Sequence, residues 1–478
     1  MTGAWWSRLF RSILVLTLFT LAMPLIAQEP PPVEEEGVLL EQITVTAQKR
    51  VEDVQDVPVA VTTVSEKNLE TLTAGGADVR FISGRVPSLL VESSFGRAFP
   101  RFYIRGLGNT DFDLNASQPV SMIYDEIVLE NPVLKGMPVW DLDRIEVLRG
   151  PQGTLFGRNT PAGIIKFESK APSQDFDAYA SGSYGTFSTA DFEAAIGGGL
   201  TDTLSARFSF LYQTQDDWVD NEFTGEDGAL GGYDNLAWRL QFLWNPTARF
   251  RALFNVHGWD LDGTARIFQA NMLTPGDDEV VAGFDRETVF QDGLNVQDIQ
   301  THGGALKMEY AFDQGSLTSV TGYETVEMFS RGDIDGGFGA VFAPPTGPRG
   351  IIPFPSESSD GIPDLDQLTQ EVRWASNLPG TFQWLVGAFY FSEELTAETF
   401  SYSSLAPGNP VEGFATQTQD AESWALFASV DQWFGEKWKL KGGVRFTHDQ
   451  KDFAAERTIP MFFNTPTIRP VTAKTDDD

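Results

Sequence analysis

From about Pro172 onward the chain alternates apolar and polar residues with a period of two. Leu204, Ala206, Phe208, Phe210 and Tyr212 alternate with Ser205, Arg207, Ser209, Leu211 and Gln213. Leu236, Trp238, Leu240, Phe242 and Trp244 do the same against Ala237, Arg239 and Gln241, and Ala248 to Val256 against Arg249, Arg251, Asn255 and His257. Trp438, Leu440, Val444 and Phe446 oppose Lys439, Lys441, Arg445 and Thr447. A strand sends successive side chains to opposite faces, so each run predicts one apolar and one polar face. A soluble sandwich also alternates, with its apolar face turned inward. Run length separates the two cases. About ten residues extend ~33 Å and, tilted by ~45°, cover ~23 Å of height, the apolar band of a transmembrane barrel; soluble strands average about 5–6 residues. Trp218, Trp244, Trp259 and Trp433 near strand ends suit an interfacial girdle.

The spacing predicts about eleven strands between Ser173 and Thr447. Their links alternate short (Gly198–Thr203, Asn245–Thr247, Asp313–Gly315, Asn377–Gly380, Gly435–Lys437) and long (Thr214–Asn235, Trp259–Thr301, Ser330–Asp366, Glu393–Asp420). Only Gly185–Thr189 breaks the rhythm. Short turns on one side and long loops on the other are the habit of outer-membrane barrels. The chain then stops at Asp476-Asp477-Asp478, within an expected outer loop. An open sheet would leave unpaired edges in lipid, so the barrel is expected to be truncated, its C-terminal half lying beyond this chain.

Ahead of the strands lies a different pattern. Ser65–Leu72 and Ala77–Ser83 read as short helices, Arg144–Leu148 and Gly163–Ser169 as strands, together a compact α/β domain over residues 57–171. At the N-terminus, Arg8 and Arg11 precede an apolar stretch from Ile13 to Ala27, the layout of a secretory signal peptide over residues 1–27. Residues 28–56 form a leader, rich in Pro and Glu at first, then containing the β-prone Ile43-Thr44-Val45-Thr46-Ala47. Residues 172–478 are the partial barrel.

Composition narrows the chemistry. The 478 residues include no cysteine and carry a formal net charge of −33, which removes disulfides and thiolate sites and argues against nucleic acid as partner. His257, His302 and His448 lack zinc-ligand spacing. No acid/base or nucleophile set stands out, so the expectation is no catalytic residue, no metal and no cofactor.

Arg144-Ile145-Glu146-Val147-Leu148-Arg149-Gly150-Pro151-Gln152-Gly153-Thr154-Leu155-Phe156-Gly157 resembles the plug signature of TonB-dependent outer-membrane receptors. Val86-Pro87-Ser88, Ile104-Arg105-Gly106 and Tyr124-Asp125 fit the same pattern in the same order. A phosphate-binding loop is the alternative for Gly150–Gly157, but Arg158-Asn159 stands where such a loop needs lysine. The resemblance implies a mainly β chain: an N-terminal α/β plug inside an antiparallel transmembrane β-barrel of the 22-strand type. It implies that Ile43, Thr44, Val45, Thr46 and Ala47 are the TonB box, free to add as a strand to TonB of the TonB–ExbB–ExbD complex. It implies that Arg105 and Arg149 pair with a lumen carboxylate, for which Glu371 is the candidate, Arg373 being the local competitor. A monomer in the Gram-negative outer membrane is implied, surrounded by lipid and lipopolysaccharide and importing a ferric siderophore; cobalamin, haem and oligosaccharide are alternative cargoes. Ser93–Phe99 and Asn109–Gln118 are candidate ligand-facing segments. The acids Asp216, Asp217, Asp220, Glu222, Glu226 and Asp227 suit divalent cations bridging lipopolysaccharide, or plain solvation. Two positions depart from the family pattern: Glu126, where glycine is usual, and Lys166, where asparagine is usual. A passive channel and a secreted β-rich enzyme or adhesin are the competing classes.

Overall fold

The computed structural model describes residues 44–478 except 47, 74–77, 112, 270–271, 275–276, 337–356, 377–380, 404–407, 436, 460–467 and 478. The signal-peptide segment and nearly all of the leader lie outside the described residues.

Among the described residues, twelve strands between Asp177 and Asp477 form one antiparallel sheet in sequence order. They are Asp177–Tyr184, Ala190–Thr201, Leu204–Gln215, Tyr233–Thr247, Phe250–Gly263, Val296–Ala311, Gly315–Asp333, Glu357–Ser376, Phe382–Tyr402, Val411–Phe434, Trp438–Ile459 and Ile468–Asp477. Each pairs with its neighbours as an up-and-down meander. The twelfth strand runs through the tail expected as loop and pairs along Asp449–Arg457 of the eleventh.

Which face is buried decides between sandwich and barrel. In the third strand Ser205, Arg207, Ser209 and Gln213 are buried, whereas Phe208 is 43% exposed. In the fourth, Arg239 and Gln241 are buried and Trp244 is exposed; Val444 of the eleventh is 71% exposed. A sandwich would show the reverse. Apolar side chains pointing away from the protein along successive strands need a non-aqueous surrounding, and lipid supplies it. An aromatic band collects near the short turns: Tyr310 and Phe312 (4.6 Å between ring centres), Phe312 and Trp374 (6.2 Å), Trp374 and Trp384 (5.8 Å). Of the expected girdle, Trp244 stands on the outer face, but Trp259 is buried on the inner one, its indole N–H donating to Asn235 Oδ1 at 2.6 Å. Alternation, not position near a strand end, sets the direction of that side chain.

The strands are longer than the sequence suggested. The seventh to eleventh span 19, 20, 21, 24 and 22 residues, about twice what crosses the apolar band of a bilayer. Much of what reads as long loop is strand continuing past the membrane.

The polar inner face wraps a second, five-stranded sheet ordered Ala60–Ser65, Leu142–Arg149, Gly163–Ser169, Val120–Tyr124 and Ile127–Leu129. Val120–Tyr124 and Gly163–Ser169 pair in parallel. Their near-continuous apolar sequence follows from burial on both faces. The expected helix at residues 65–72 is the α-helix Glu66–Leu72, with Ser65 as the extended residue before it and Glu66 in its first turn. The next is the 3-10 turn Val79–Ile82, opened by Asp78, whose carboxylate accepts from Arg80 N.

Candidate functional site

The inner sheet is tied to the outer one by two kinds of contact. Apolar packing comes first. Gly150 N–H donates to Ala162 O at 2.8 Å and Gln152 N–H to Thr160 O at 3.2 Å, closing the signature loop on itself. Gly153 starts the one-turn helix Gly153–Phe156, placed directly after Pro151 and Gln152. Gly150 (φ 105°) and Gly157 (φ 84°) bracket that turn in conformations that disfavour any side chain. The loop thereby seats Leu155 and Phe156 in a cluster with Val45, Leu148 and Ile164 of the plug and Leu385 and Phe427 of the wall.

Charge supplies the second kind of contact. Asp141, at the start of the Leu142–Arg149 strand, accepts Arg207 Nε at 2.8 Å and Nη2 at 2.5 Å. Both side chains are 1–2% exposed. Glu126 bridges Lys307 and Arg373, each at 2.6 Å. Burial alone would raise the Glu126 carboxyl, but Arg373 and then Lys307 outweigh it and hold the group far below the usual carboxylate range. Tyr124 takes a bond from Arg239, and Asp125 accepts from Asn255 Nδ2 at 3.0 Å and from Ser169 N–H at 2.7 Å. Trp140 Nε1 donates to Ser209 Oγ at 3.1 Å.

The predicted ion pairs form differently. Glu371 binds Arg373 at 2.9 Å and Lys49; neither Arg105 nor Arg149 reaches it. Leu148 faces the wall cluster, so its neighbour Arg149 faces away and donates to Ala60 O, Pro87 O and Thr62 Oγ1 inside the plug. Arg105 is an exposed turn residue with φ 54°. Arg144 pairs with Asp143 and with the wholly buried Glu146. The sequence therefore indicated charged contacts between plug and wall but assigned their partners incorrectly. Both departures from the family pattern carry ion pairs: Glu126 as above, and Lys166 with Glu168 (2.8 Å) and Glu146 (3.7 Å).

Of the expected TonB box, Ile43 and Ala47 lie outside the described residues. Thr44–Val45 pairs antiparallel with Glu52–Asp53 in a small hairpin. The segment is not free: Val45 is 0% exposed, and Thr46 N–H donates to both oxygens of Glu146 (2.9 and 3.1 Å). Lys49 reaches Glu371, Gln48 meets Lys441, and Arg50 Nη1 donates to Gln383 Oε1 at 2.9 Å. The hairpin edges a cavity of about 530 Å³ against the inner wall.

The two candidate ligand segments differ. Ser93–Phe99 is docked on the wall: Arg97 lies 3.5 Å over the Tyr233 ring, Gln297 Nε2 donates to Phe95 O, and Phe99 is buried. Within Asn109–Gln118, Asp111 and Asp113 are exposed and Asn115 Nδ2 donates to Gln417 Oε1 at 3.0 Å, whereas Leu114 and Gln118 are buried. Among the loop acids, Asp217 and Asp220 each accept a backbone amide, from Gly232 and Gly228 at 2.7 Å.

Residues 53–164 match the profile of the TonB-dependent Receptor Plug Domain. This segment is a TonB-dependent receptor plug. The pesticin receptor of Yersinia pestis is 27% identical over 221 residues, 45% of this chain and 31% of that protein. The ferric-pyoverdine 358 receptor of Pseudomonas putida is 23% identical over 194 residues, 41% of this chain and 23% of that protein. Among solved structures, the ferric yersiniabactin uptake receptor of Yersinia pestis aligns over 88% of this chain and 60% of its own, with TM-score 0.72 and 18% identity. The closed form of the ferric-catecholate import receptor of E. coli K12 aligns over 89% and 62%, with TM-score 0.66 and 17% identity. The aligned regions take in about a third or less of the curated relatives and about three-fifths of these solved chains. The plug and the sheet around it thus share the fold of these solved receptors.

Proposed function

We propose that this chain is the plug and the leading barrel strands of an outer-membrane importer that takes up a ferric siderophore, driven through TonB. The observation that carries the reading is the plug seated on the polar face of a sheet whose apolar face points outward. A passive channel has no use for a folded domain bonded into its lumen along so many strands. The siderophore assignment rests on the names of the similar receptors, those for ferric pyoverdine, ferric yersiniabactin and ferric catecholate. Cobalamin, haem or oligosaccharide would need the same architecture.

The TonB-box reading of residues 43–47 rests on the family resemblance and the extended backbone at Thr44–Val45. Since Val45 and Thr46 are engaged by the plug, TonB binding requires the hairpin to leave Glu146 and the wall first. Once released, its main chain can add to a partner's sheet edge. Val45→Pro removes one amide donor from that edge. The test uses the natural gene product in outer membranes, with radiolabelled iron chelates of several siderophore classes. Energised uptake is expected to vanish in Val45→Pro while binding of the chelate persists. Undiminished uptake with proline at position 45 removes the TonB-box assignment, and failure of every iron chelate to bind removes the cargo class.

A further inference from the structure

Four carboxylates meet where the link after the fifth strand runs beside the seventh and eighth: Asp292, Asp333, Asp335 and Glu357. These strand ends carry the long links, the outer side of a barrel of this type. Glu357 is fully served, by Arg331 Nη2 at 2.5 Å, Asn409 Nδ2 at 2.8 Å and Leu294 N–H at 3.0 Å. Asp292 and Asp333 are not equivalent to it. One oxygen from each of Asp292, Asp333 and Asp335 lies within 4.8 Å of the others. Asp333 and Asp335 are 1% and 2% exposed, so this is no solvated acidic rim. Asp333 Oδ2 accepts Gly293 N–H at 3.3 Å, but the buried Oδ1 has no hydrogen-bond partner among the described residues.

Carboxylates this close and this buried repel strongly, and no ion pair of Asp292 or Asp333 with a base is found among the described residues. The backbone cannot simply swing away. A Cβ on Gly293 would sit 2.9 Å from Glu357 Cδ and 3.2 Å from Asp333 Cβ, so the Asp292–Leu294 segment is pressed onto the acids. A proton shared between two carboxylates would cancel one negative charge. A divalent cation cancels two and also takes up the idle Oδ1 lone pair. Gln291 Oε1 and Asn295 Oδ1, in the same segment, are further buried oxygens without a donor.

We propose that Asp292, Asp333 and Asp335 bind a calcium ion that pins the link before the sixth strand to the outer end of the seventh. Oxygen-only donors select a hard cation over zinc or copper. Calcium accepts six to eight oxygens in irregular geometry, whereas magnesium demands a near-ideal octahedron and retains its waters. The ion would stiffen the outer link beside the plug without touching the transport machinery.

The natural gene product, purified in detergent and freed of metal, is titrated with calcium chloride in a calorimeter. Its melting temperature is read with calcium and with chelator, alone and against magnesium. Expected are about one calcium per chain with a dissociation constant between about 10⁻⁶ and 10⁻³ M, and a higher melting temperature with calcium than with chelator. Asp333→Asn and, separately, Asp292→Asn should weaken binding about tenfold or more and abolish that difference. Both variants are near-isosteric. If Asp333→Asn fails to show a folded barrel's heat-modifiable mobility, the more exposed Asp292→Asn carries the test. No calcium binding by the parent protein, or unchanged binding in the folded variants, overturns the proposal. A melting temperature raised by Asp333→Asn with no calcium dependence in the parent would identify a proton-sharing pair instead. Calcium is titrated without cargo, so this result is independent of the uptake experiment.

Discussion

Asp141→Asn tests directly how strongly the plug is held. The Asp141–Arg207 pair is bidentate, with both side chains nearly inaccessible. Breaking a buried pair by removing one partner costs about 3–5 kcal/mol, because the other charge stays desolvated. Here Arg207 retains Asp177 at 2.9 Å, a partner that is 39% exposed and so partly screened. The expected loss for Asp141→Asn is therefore smaller, about 2–3 kcal/mol. Among the described residues, Arg207→Met leaves the Asp141 carboxylate with the Tyr179 hydroxyl at 3.3 Å as its remaining side-chain partner and should cost about 3–5 kcal/mol. The double variant should lose less than the sum of the two, by about 2–4 kcal/mol, since each single change already breaks the contact. Hydrogen exchange of the Leu142–Arg149 and Gly163–Ser169 amides in the detergent-solubilised receptor reads these values. At 1.4 kcal/mol per decade, Asp141→Asn should lower protection by about 30- to 150-fold. A drop below about threefold, or additivity within about 0.5 kcal/mol, would show that the pair does not anchor the plug.

Two further changes follow from the same interior. Gly163 has φ 150° and an added Cβ would lie 2.2 Å from Leu148 O; a backbone atom cannot yield as a side-chain tip can, so Gly163→Ala should make the plug trypsin-sensitive while the barrel keeps its heat-modifiable mobility. Lys135, 1% exposed, is lowered from 10.5 to about 8 by burial, against the opposing pull of Glu130 and Glu393. Between those two values the unfolded chain binds the extra proton, so stability from this group rises with pH and is lowest below about 8. Lys135→Met should therefore melt at or above the parent temperature at pH 7, with a gain of at most about 3 kcal/mol. That gap should close between pH 8 and 10; a gap that widens there contradicts the assignment.

What was legible in the sequence is what lipid enforces. Leu204–Gln215 and Tyr233–Thr247 show their two faces because one meets hydrocarbon and the other the plug. Beyond the membrane the outer face meets water while the inner one, at Glu393, Leu395 and Ala397, stays buried, and with polar residues on both faces the contrast vanishes. Glu393-Glu394-Leu395-Thr396-Ala397-Glu398 and Thr416-Gln417-Thr418-Gln419 read as loop, yet both are ladder, paired residue for residue. Ile468–Asp477 escaped notice for the same reason. Backbone hydrogen bonding, which sequence pattern does not display, extends those strands.

The ion pairs were harder, for a reason that is geometric and not chemical. Arg105 and Arg149 have the right charge to meet Glu371, but strand alternation at Leu148–Arg149 turns the arginine away from the wall and the leucine toward it. The useful signal lay in the two departures from the family pattern. A glutamate in place of glycine at 126 and a lysine in place of asparagine at 166 each bring a charge into a site the rest of the plug keeps from water. Such a charge persists only if an opposite one is fixed within reach. For Glu126 that requirement is met from the wall, by Lys307 and Arg373, and for Lys166 from within the plug, by Glu146 and Glu168. Glu146 also receives the Thr46 amide. The base that accompanies the plug's buried acid is therefore part of the surface on which the hairpin rests, so neutralising Lys166 should loosen the hairpin before it loosens the plug.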